Sequence, residues 1–171
     1  SQAEMEAELF GTSIIDALTE KNAADRILKL QKINAPEENA RAILAMLLSA
    51  EANANGSATL EMSSLSEITQ SLSIDAHYRD LLNFKILLGS AEIMDLDKRI
   101  IAFEALSKPG NPFRLLAEEQ IALIELELGN TDDAIEKISQ ILLDSELTTG
   151  LRNRVTQMMI ALGKDPELIN E

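Results

Sequence analysis

Residues 111–146 read NPFRLLAEEQIALIELELGNTDDAIEKISQILLDSE, and this stretch decides the fold. Apolar residues recur every three to four positions on both sides of Gly129, which is the spacing of two amphipathic α-helices. Asn111 is a predicted N-cap with Pro112 at the first helical position, and Thr131 is the predicted cap of the second helix. Two helices of similar length joined by a tight turn predict a helical hairpin.

The same pattern recurs less regularly along the rest of the chain. One helix of the first hairpin carries apolar residues at helical spacing, namely Met5, Leu9, Phe10, Ile14 and Leu18. Three further hairpins and a closing helix are predicted over residues 2–33, 34–72, 75–108 and 148–163. The return helix of the second hairpin is expected at residues 58–72. The predicted N-caps of these helices include Asn22, Asp75 and Asp95.

These elements together predict the fold class. No run of alternating β-branched or aromatic residues indicates a strand. The core must be built from Leu, Ile, Ala and Met, since aromatic residues make up only 3% of the chain, and that composition suits helices. We therefore predict an all-α chain with a single domain over residues 1–171. It would stack about four hairpins, the fourth at 111–146, as a right-handed array closed by a C-terminal capping helix.

Charge and composition exclude several classes of function. The 171 residues include 29 acidic and 15 basic side chains, a formal net charge of −14. This charge has the wrong sign for nucleic acid and for anionic lipid headgroups, so we expect neither as a partner. The chain has no cysteine, which excludes disulfides and thiolate chemistry. No run approaches the roughly 20 apolar residues that a membrane span requires.

No residue pattern predicts catalysis, a cofactor or a bound metal. His77 is the only histidine, and there is no cysteine or second histidine to complete a metal site with it. Two aspartate pairs could be considered as metal ligands, but both lie at predicted helix starts, where the helix dipole favours negative charge; they are Asp95 and Asp97, and Asp132 and Asp133. Glycine-rich phosphate loops and a Gly-x-Ser-x-Gly elbow are absent from the sequence. We therefore assign no catalytic, cofactor or metal-binding residue.

A surface function remains. Hairpin arrays expose the first helix of each pair along one concave side, where they bind peptides or partner domains. In the fourth hairpin the positions off the core stripe are Leu116, Glu119, Leu123, Leu126 and Glu127. Three of them are leucines where a solvated helix would carry charge, so we predict a partner-binding groove there. Two alternatives stand beside it: a neighbouring helix covers the leucines, or the chain is a structural protein that self-assembles, for example as a homodimer.

Repeats of about 34 residues with small residues at helix contacts are typical of tetratricopeptide repeats (TPR). The fourth hairpin resembles them in Ala122, Gly129 and Ala134, whereas Glu118 and Glu125 lie near the places of the consensus Trp and Tyr. The pattern therefore describes a divergent, TPR-like array.

A more specific resemblance covers residues 78–163. The segments HYRDLLNFKILL, FEALSKPGNPFRLLAEEQIALIELELGNTDDA and GLRNRVTQMMIALG resemble the alphaproteobacterial branch of the YfgM-like tetratricopeptide family. That family is related to the ancillary subunit of the SecYEG translocon. The resemblance implies an N-terminal membrane anchor before Ser1 and a helical domain on the periplasmic side of the bacterial inner membrane. It also implies non-catalytic contacts with the translocon, chaperones or envelope clients; a generic TPR-like adaptor is the alternative.

Overall fold

The structure is a computed structural model that describes residues 1–54, 69–70, 73–91 and 94–167. Within these ranges it contains eight α-helices and no strand, so the predicted all-α class is confirmed for the described part of the chain. The helices are α1 Gln2–Leu18, α2 Ala23–Gln31, α3 Glu38–Ala54, α4 Ala76–Leu88, α5 Leu96–Leu106, α6 Arg114–Glu127, α7 Thr131–Leu142 and α8 Thr149–Ala161. The helix predicted at 58–72 lies, apart from residues 69 and 70, outside the described residues.

The contacts of the chain separate into two compact units, Ser1–Gly89 and Ser90–Glu171, and each is described by itself. In unit 1, α1 packs on α2, α2 on α3 and α3 on α4. In unit 2, α5 packs on α6, α6 on α7 and α7 on α8. Within each unit, each described helix thus contacts its neighbours along the chain. The single domain over residues 1–171 stays a prediction.

Unit 1 buries alanines among larger apolar side chains where its helices meet. One cluster joins α1, α2 and α3 and contains Ala17, Leu30 and Leu44. A second cluster joins α3 to α4 and contains Ala42, Ala45, Ile74 and Leu82. Alanine presents only a methyl group, so neighbouring helices can approach closely along α3. This helix buries residues on several of its sides, as its apolar sequence predicts.

Polar side chains fix the junctions of unit 1. The Arg26 Nε donates to Glu51 Oε2 at 2.8 Å, and its Nη1 donates to the carbonyl of Glu20 at 2.8 Å. This one guanidinium therefore joins α2 to α3 and to the loop after α1. Asn39 and Asp75 form a reciprocal pair: Asn39 Nδ2 donates to Asp75 Oδ2 at 2.9 Å, and the Asp75 N–H donates to Asn39 Oδ1 at 3.2 Å.

The core of unit 2 lies where α6, α7 and α8 meet. Its buried members are Leu115, Ala122, Ile138, Ile141, Leu142, Leu151, Val155 and Met159. The α7 members lie at the i, i+3, i+4 spacing that the sequence predicts. The predicted turn is also present, because Gly129 has φ +85°. The N–H of Asn130 donates to the carbonyl of Glu125 at 2.8 Å, and that of Gly129 to Leu126 at 3.1 Å, which ends α6 in a Schellman motif.

The predicted caps are correct in part. Asn22 caps α2 as predicted, since its Oδ1 accepts from the N–H of Ala24 at 2.8 Å. Asp75 and Asp95 occupy N-cap positions, but neither side chain makes a cap hydrogen bond. The start predicted for α6 is wrong by two residues, because the helix begins at Arg114 rather than at Pro112.

The reason lies in the turn before α6. Asn111 Oδ1 accepts from the N–H of Phe113 at 2.9 Å, and the carbonyl of Asn111 accepts from the N–H of Arg114 at 3.1 Å. Asn111 therefore closes a turn that contains Pro112. At α7 the predicted cap Thr131 is instead the first helical residue, and Asn130 precedes it as N-cap.

Candidate functional site

The predicted groove residues lie on one stripe of α6, and the structure divides this stripe into a covered and an exposed half. Leu116 is half-buried and packs against the core of unit 2. Glu119 is buried among the helices. Leu123 and Glu127 are exposed, and Leu126 is half-buried between them along the helix. Leu123, Leu126 and Glu127 are neighbours at i, i+3 and i+4, so they form a small exposed patch.

Helix α8 occupies the covered half of the stripe. The Arg154 Nε donates to Glu119 Oε1 at 2.7 Å, and its Nη2 donates to Glu119 Oε2 at 2.8 Å. The side chain of Glu119 is 7% exposed and that of Arg154 is 53% exposed. This bidentate contact raises the pKa of Arg154. Both carboxylate oxygens of Glu119 are therefore used inside unit 2, which is the behaviour expected if a neighbouring helix covers this part of the stripe.

A second arginine holds the start of α6. Arg114 donates from Nη1 and Nη2 to the two carboxylate oxygens of Asp144, at 2.8 and 2.9 Å, and from Nη2 to Glu146 at 2.6 Å. These bonds raise the pKa of Arg114 further above its usual range. The hydrogen bond from Arg114 lowers the pKa of Asp144, and the backbone N–H of Glu146 adds to this effect. The contact ties α6 to the loop after α7.

A cavity of about 340 Å³ lies beside this clamp, between the turn before α6 and the start of α8. Arg114 and Glu146 line it together with backbone turns and leucines. Because both terminal nitrogens of Arg114 already bind carboxylates, the cavity presents no guanidinium group dedicated to an anion. We interpret the clamp as a part of the fold rather than as a ligand site.

A further groove lies in unit 1, and the sequence did not indicate it. It has a volume of about 940 Å³ and runs between α1, the end of α2 and residues 33–36; we call it the α1 groove. Its apolar lining is Leu9, Phe10, Ile33, Ala35 and Pro36, and its charged lining is Glu6, Asp16, Lys29 and Lys32. The groove is therefore amphipathic, with both apolar and charged walls.

Leu9 is an exposed apolar side chain of α1 that lines this groove; Met5 lies one turn before it, and Ile15 lies on another side of the helix. Leu9 is 68% exposed, and Met5 and Ile15 are exposed to a similar degree. The helical spacing predicted α1 correctly, but Ala17 is the one residue of this helix that is fully buried. The signal available in the sequence was the mixture of acids and apolar residues in AEMEAELF, which gives α1 no clean polar face.

The charged wall of the α1 groove is partly neutralised. Lys29 Nζ lies 2.6 Å from Glu20 Oε1 and 3.1 Å from Asp16 Oδ2. The hydrogen bond to Glu20, with a further one to Asp16, raises the pKa of Lys29. Glu6 on the α1 side and Lys32 on the α2 side complete the charged lining. The α1 wall therefore carries negatively charged side chains, and the α2 wall carries positively charged ones.

The described residues contain no group of three or more His, Asp or Glu side chains arranged to hold a metal ion. His77 is exposed in the first turn of α4. Asp97, Asp132 and Asp133 lie in first turns of helices, where the helix dipole favours negative charge. In the part of the chain that the structure covers, no helix has the length and apolar character to cross a membrane.

Comparison of the chain with protein-family models, with curated proteins and with solved structures finds no match. The resemblance of residues 78–163 to the YfgM-like family therefore stays a prediction. The same holds for the partner-binding role of Leu116, Glu119, Leu123, Leu126 and Glu127. Function has to be inferred from the surfaces of the two units.

Proposed function

We propose that this chain is a non-catalytic protein-binding module, in which TPR-like helical hairpins carry an apolar surface that binds a protein or peptide partner. The observation that carries the proposal is the exposure of Met5 and Leu9, one turn apart on α1, at an amphipathic groove that Leu9 lines. Single exposed apolar residues are normal on protein surfaces. Two on the same side of a helix, bordered by polar residues and next to a groove, are typical of interaction sites.

The packing of the helices supports the TPR-like part of the proposal. Within each unit, the described helices contact their neighbours along the chain, which is the arrangement of stacked repeats. The Schellman turn at Gly129 and the buried Ala122 and Ala134 agree with a hairpin of close-packed helices. We extend this arrangement to about four hairpins in a right-handed array, with α8 as the capping helix.

The cellular setting rests on the sequence resemblance. It places the helical domain on the periplasmic side of a bacterial inner membrane, behind an N-terminal anchor, with partners at the Sec translocon or among periplasmic chaperones. An apolar run of about 20 residues encoded directly before Ser1 would support this setting. If the gene encodes no such run, the anchored form is wrong and a generic TPR-like adaptor replaces it.

Site-specific crosslinking in cells tests the binding function. A photoreactive amino acid at position 9 probes the α1 groove, and one at position 123 probes the exposed patch of α6. The matched control is position 136, where an exposed Glu136 lies on α7. We expect a discrete adduct with a second protein from position 9 or 123 and none from 136. Equal, diffuse labelling from all three positions would contradict a protein-binding function.

The same experiment separates the two candidate surfaces. If position 123 gives the adduct, a photoreactive residue moved to the exposed neighbouring position 127 should give it too. Leu123→Glu in that chain should abolish the adduct while the circular dichroism stays unchanged, because the Leu123 side chain is exposed. If position 9 gives the adduct, the binding site lies on unit 1, in the surface that the sequence did not indicate.

A further inference from the structure

We infer that the α1 groove binds one amphipathic helix with a basic flank, supplied by a partner protein; this rests on the proposed binding function and names its site and its ligand class. The groove offers an apolar strip with Leu9 and Phe10 on one wall and Ile33 on the other. A helix that lays its apolar face into such a strip uses anchors at i, i+3 or i+4 and i+7.

The negative charge of α1 determines which side chains the partner helix should carry next to it. At the start of α1, Glu4 is already paired with the amino group of Ser1. Glu6 and Glu8 flank the exposed Met5 and Leu9, and this helix carries no Lys or Arg. A helix lying along Met5 and Leu9 would pass beside these carboxylates. Lysines or arginines on its flank would therefore be attracted, whereas an acidic helix would be repelled.

The α2 wall of the groove determines the orientation of the incoming helix. Lys29 is held by Glu20 and Asp16, so its charge is balanced within the chain. Lys32, at the end of α2, is the second cation of the lining. An incoming helix thus meets carboxylates along α1 and one ammonium group across the groove, and its basic flank should face α1.

The same charges argue against a second copy of the chain as the occupant. The chain has a formal net charge of −14, and two α1 helices packed together would bring their carboxylates face to face. A small molecule is also disfavoured. The volume of about 940 Å³ lies near the upper end of sites for such ligands, roughly 300–1,000 Å³, and two of the four charged side chains of the lining, Asp16 and Lys29, are already paired with each other.

Binding of a synthetic peptide tests the inference. The probe is a fluorescent 18-residue helix of leucine and lysine, with leucines on one face and lysines on both flanks. One control peptide has the same composition in scrambled order, and a second has glutamate in place of every lysine. Fluorescence anisotropy against the whole chain should show saturable binding of the first peptide only. Equal binding of the scrambled peptide would mean that net charge alone attracts it, and would overturn the inference.

Neutral substitutions locate the site. The double variant Met5→Gln and Leu9→Gln removes apolar surface without changing charge, and should weaken binding by about tenfold or more, since apolar burial is lost. The matched control is Ile101→Gln on α5, because Ile101 is 66% exposed, close to Leu9. Glu6→Gln should weaken binding by up to about fivefold, as expected for an exposed ion pair. Unchanged affinity in the double variant would overturn the inference.

Light scattering and the crosslinks described above distinguish the remaining outcomes. A dimer that the Met5→Gln and Leu9→Gln variant dissociates would make a second copy the occupant and overturn the basic helix. A crosslink from position 9 to an acidic or non-helical segment would also overturn it, while the binding function stands. Absence of every specific crosslink would instead contradict the proposed function itself.

Discussion

Removing the guanidinium of Arg154 is expected to destabilise unit 2 by about 2–3 kcal/mol, because the change leaves a buried carboxylate without its partner. Glu119 is 7% exposed at its side chain and accepts both of its hydrogen bonds from Arg154. Hydrogen bonds to charged groups contribute about 1.5–3 kcal/mol, and breaking a fully buried ion pair costs about 3–5 kcal/mol. Arg154 itself is 53% exposed, so water can reach the site from its side, and we place the cost below the buried range.

The suitable variant is Arg154→Met, which keeps an aliphatic stem and removes the charge. Its counterpart, Glu119→Met, should cost only about 0–1 kcal/mol, because the half-exposed Arg154 can turn to solvent and no buried charge is left behind. The double variant, with both substitutions, should lose about as much stability as Glu119→Met alone. Arg152→Met is the matched control, since Arg152 is exposed on the same helix, and we expect a change within about 0.5 kcal/mol.

Hydrogen exchange measured by mass spectrometry gives the free energy of opening for each unit separately. Amides of α7 and α8 report on unit 2, and those of α2 and α3 serve as an internal reference in unit 1. A cost for Glu119→Met equal to that for Arg154→Met would refute the reasoning. It would mean that Glu119 is not a buried charge that depends on Arg154, and a role for Glu119 at a binding surface would regain support.

Two further predictions concern the ends of helices in unit 2. The pKa of Asp144 is lowered from 3.8 by the hydrogen bond from Arg114, so the stability from this contact is present above about pH 4 and is lost as the pH falls through the lowered pKa. Acid titration followed by circular dichroism should therefore show a smaller loss of stability below pH 4 in Asp144→Asn than in the unmodified chain; an equal loss in both would contradict this. Gly129→Ala should destabilise unit 2 by about 1–2 kcal/mol, because φ is +85° and no atom lies within 4 Å of the added Cβ, so the backbone alone sets the cost. The control Gly150→Ala, in α8 with ordinary φ and equally open space, should be neutral or stabilising in urea unfolding, and two variants of equal effect would show that φ is not the cause.

Local structure was predictable where a short-range signal determines it. Helix α7 follows directly from the spacing of Ala134, Ile138 and Ile141, since a helix with this pattern has one apolar face to bury. The turn at Gly129 is likewise local, because a positive φ favours glycine there. The start of α6 was misplaced because the Asn111 side chain can cap a turn as well as a helix, and the sequence does not distinguish the two.

Tertiary contacts were not predictable in the same way. Glu119 and Arg154 are 35 residues apart, and nothing in the sequence around either residue indicates the other. The groove predicted on α6 therefore included a carboxylate that the fold uses internally. On α1 the sequence left open which residues another helix covers. Helical spacing identifies apolar residues such as Met5 and Leu9, but it does not say whether another helix covers them, and here they are exposed.

The exposed apolar residues of α1 and the acidity of the chain are physically compatible because they act at different ranges. A net charge of −14 keeps copies of the chain apart over distances of about a Debye length, roughly 8 Å at physiological salt. Apolar attraction acts only at contact, so Met5 and Leu9 can stay exposed without driving self-association of an acidic chain. A basic helix experiences the opposite long-range force, because the acidic chain attracts it as it approaches the groove. The carboxylates of α1 therefore serve two purposes at once: they oppose a second copy of the chain and they select a basic partner.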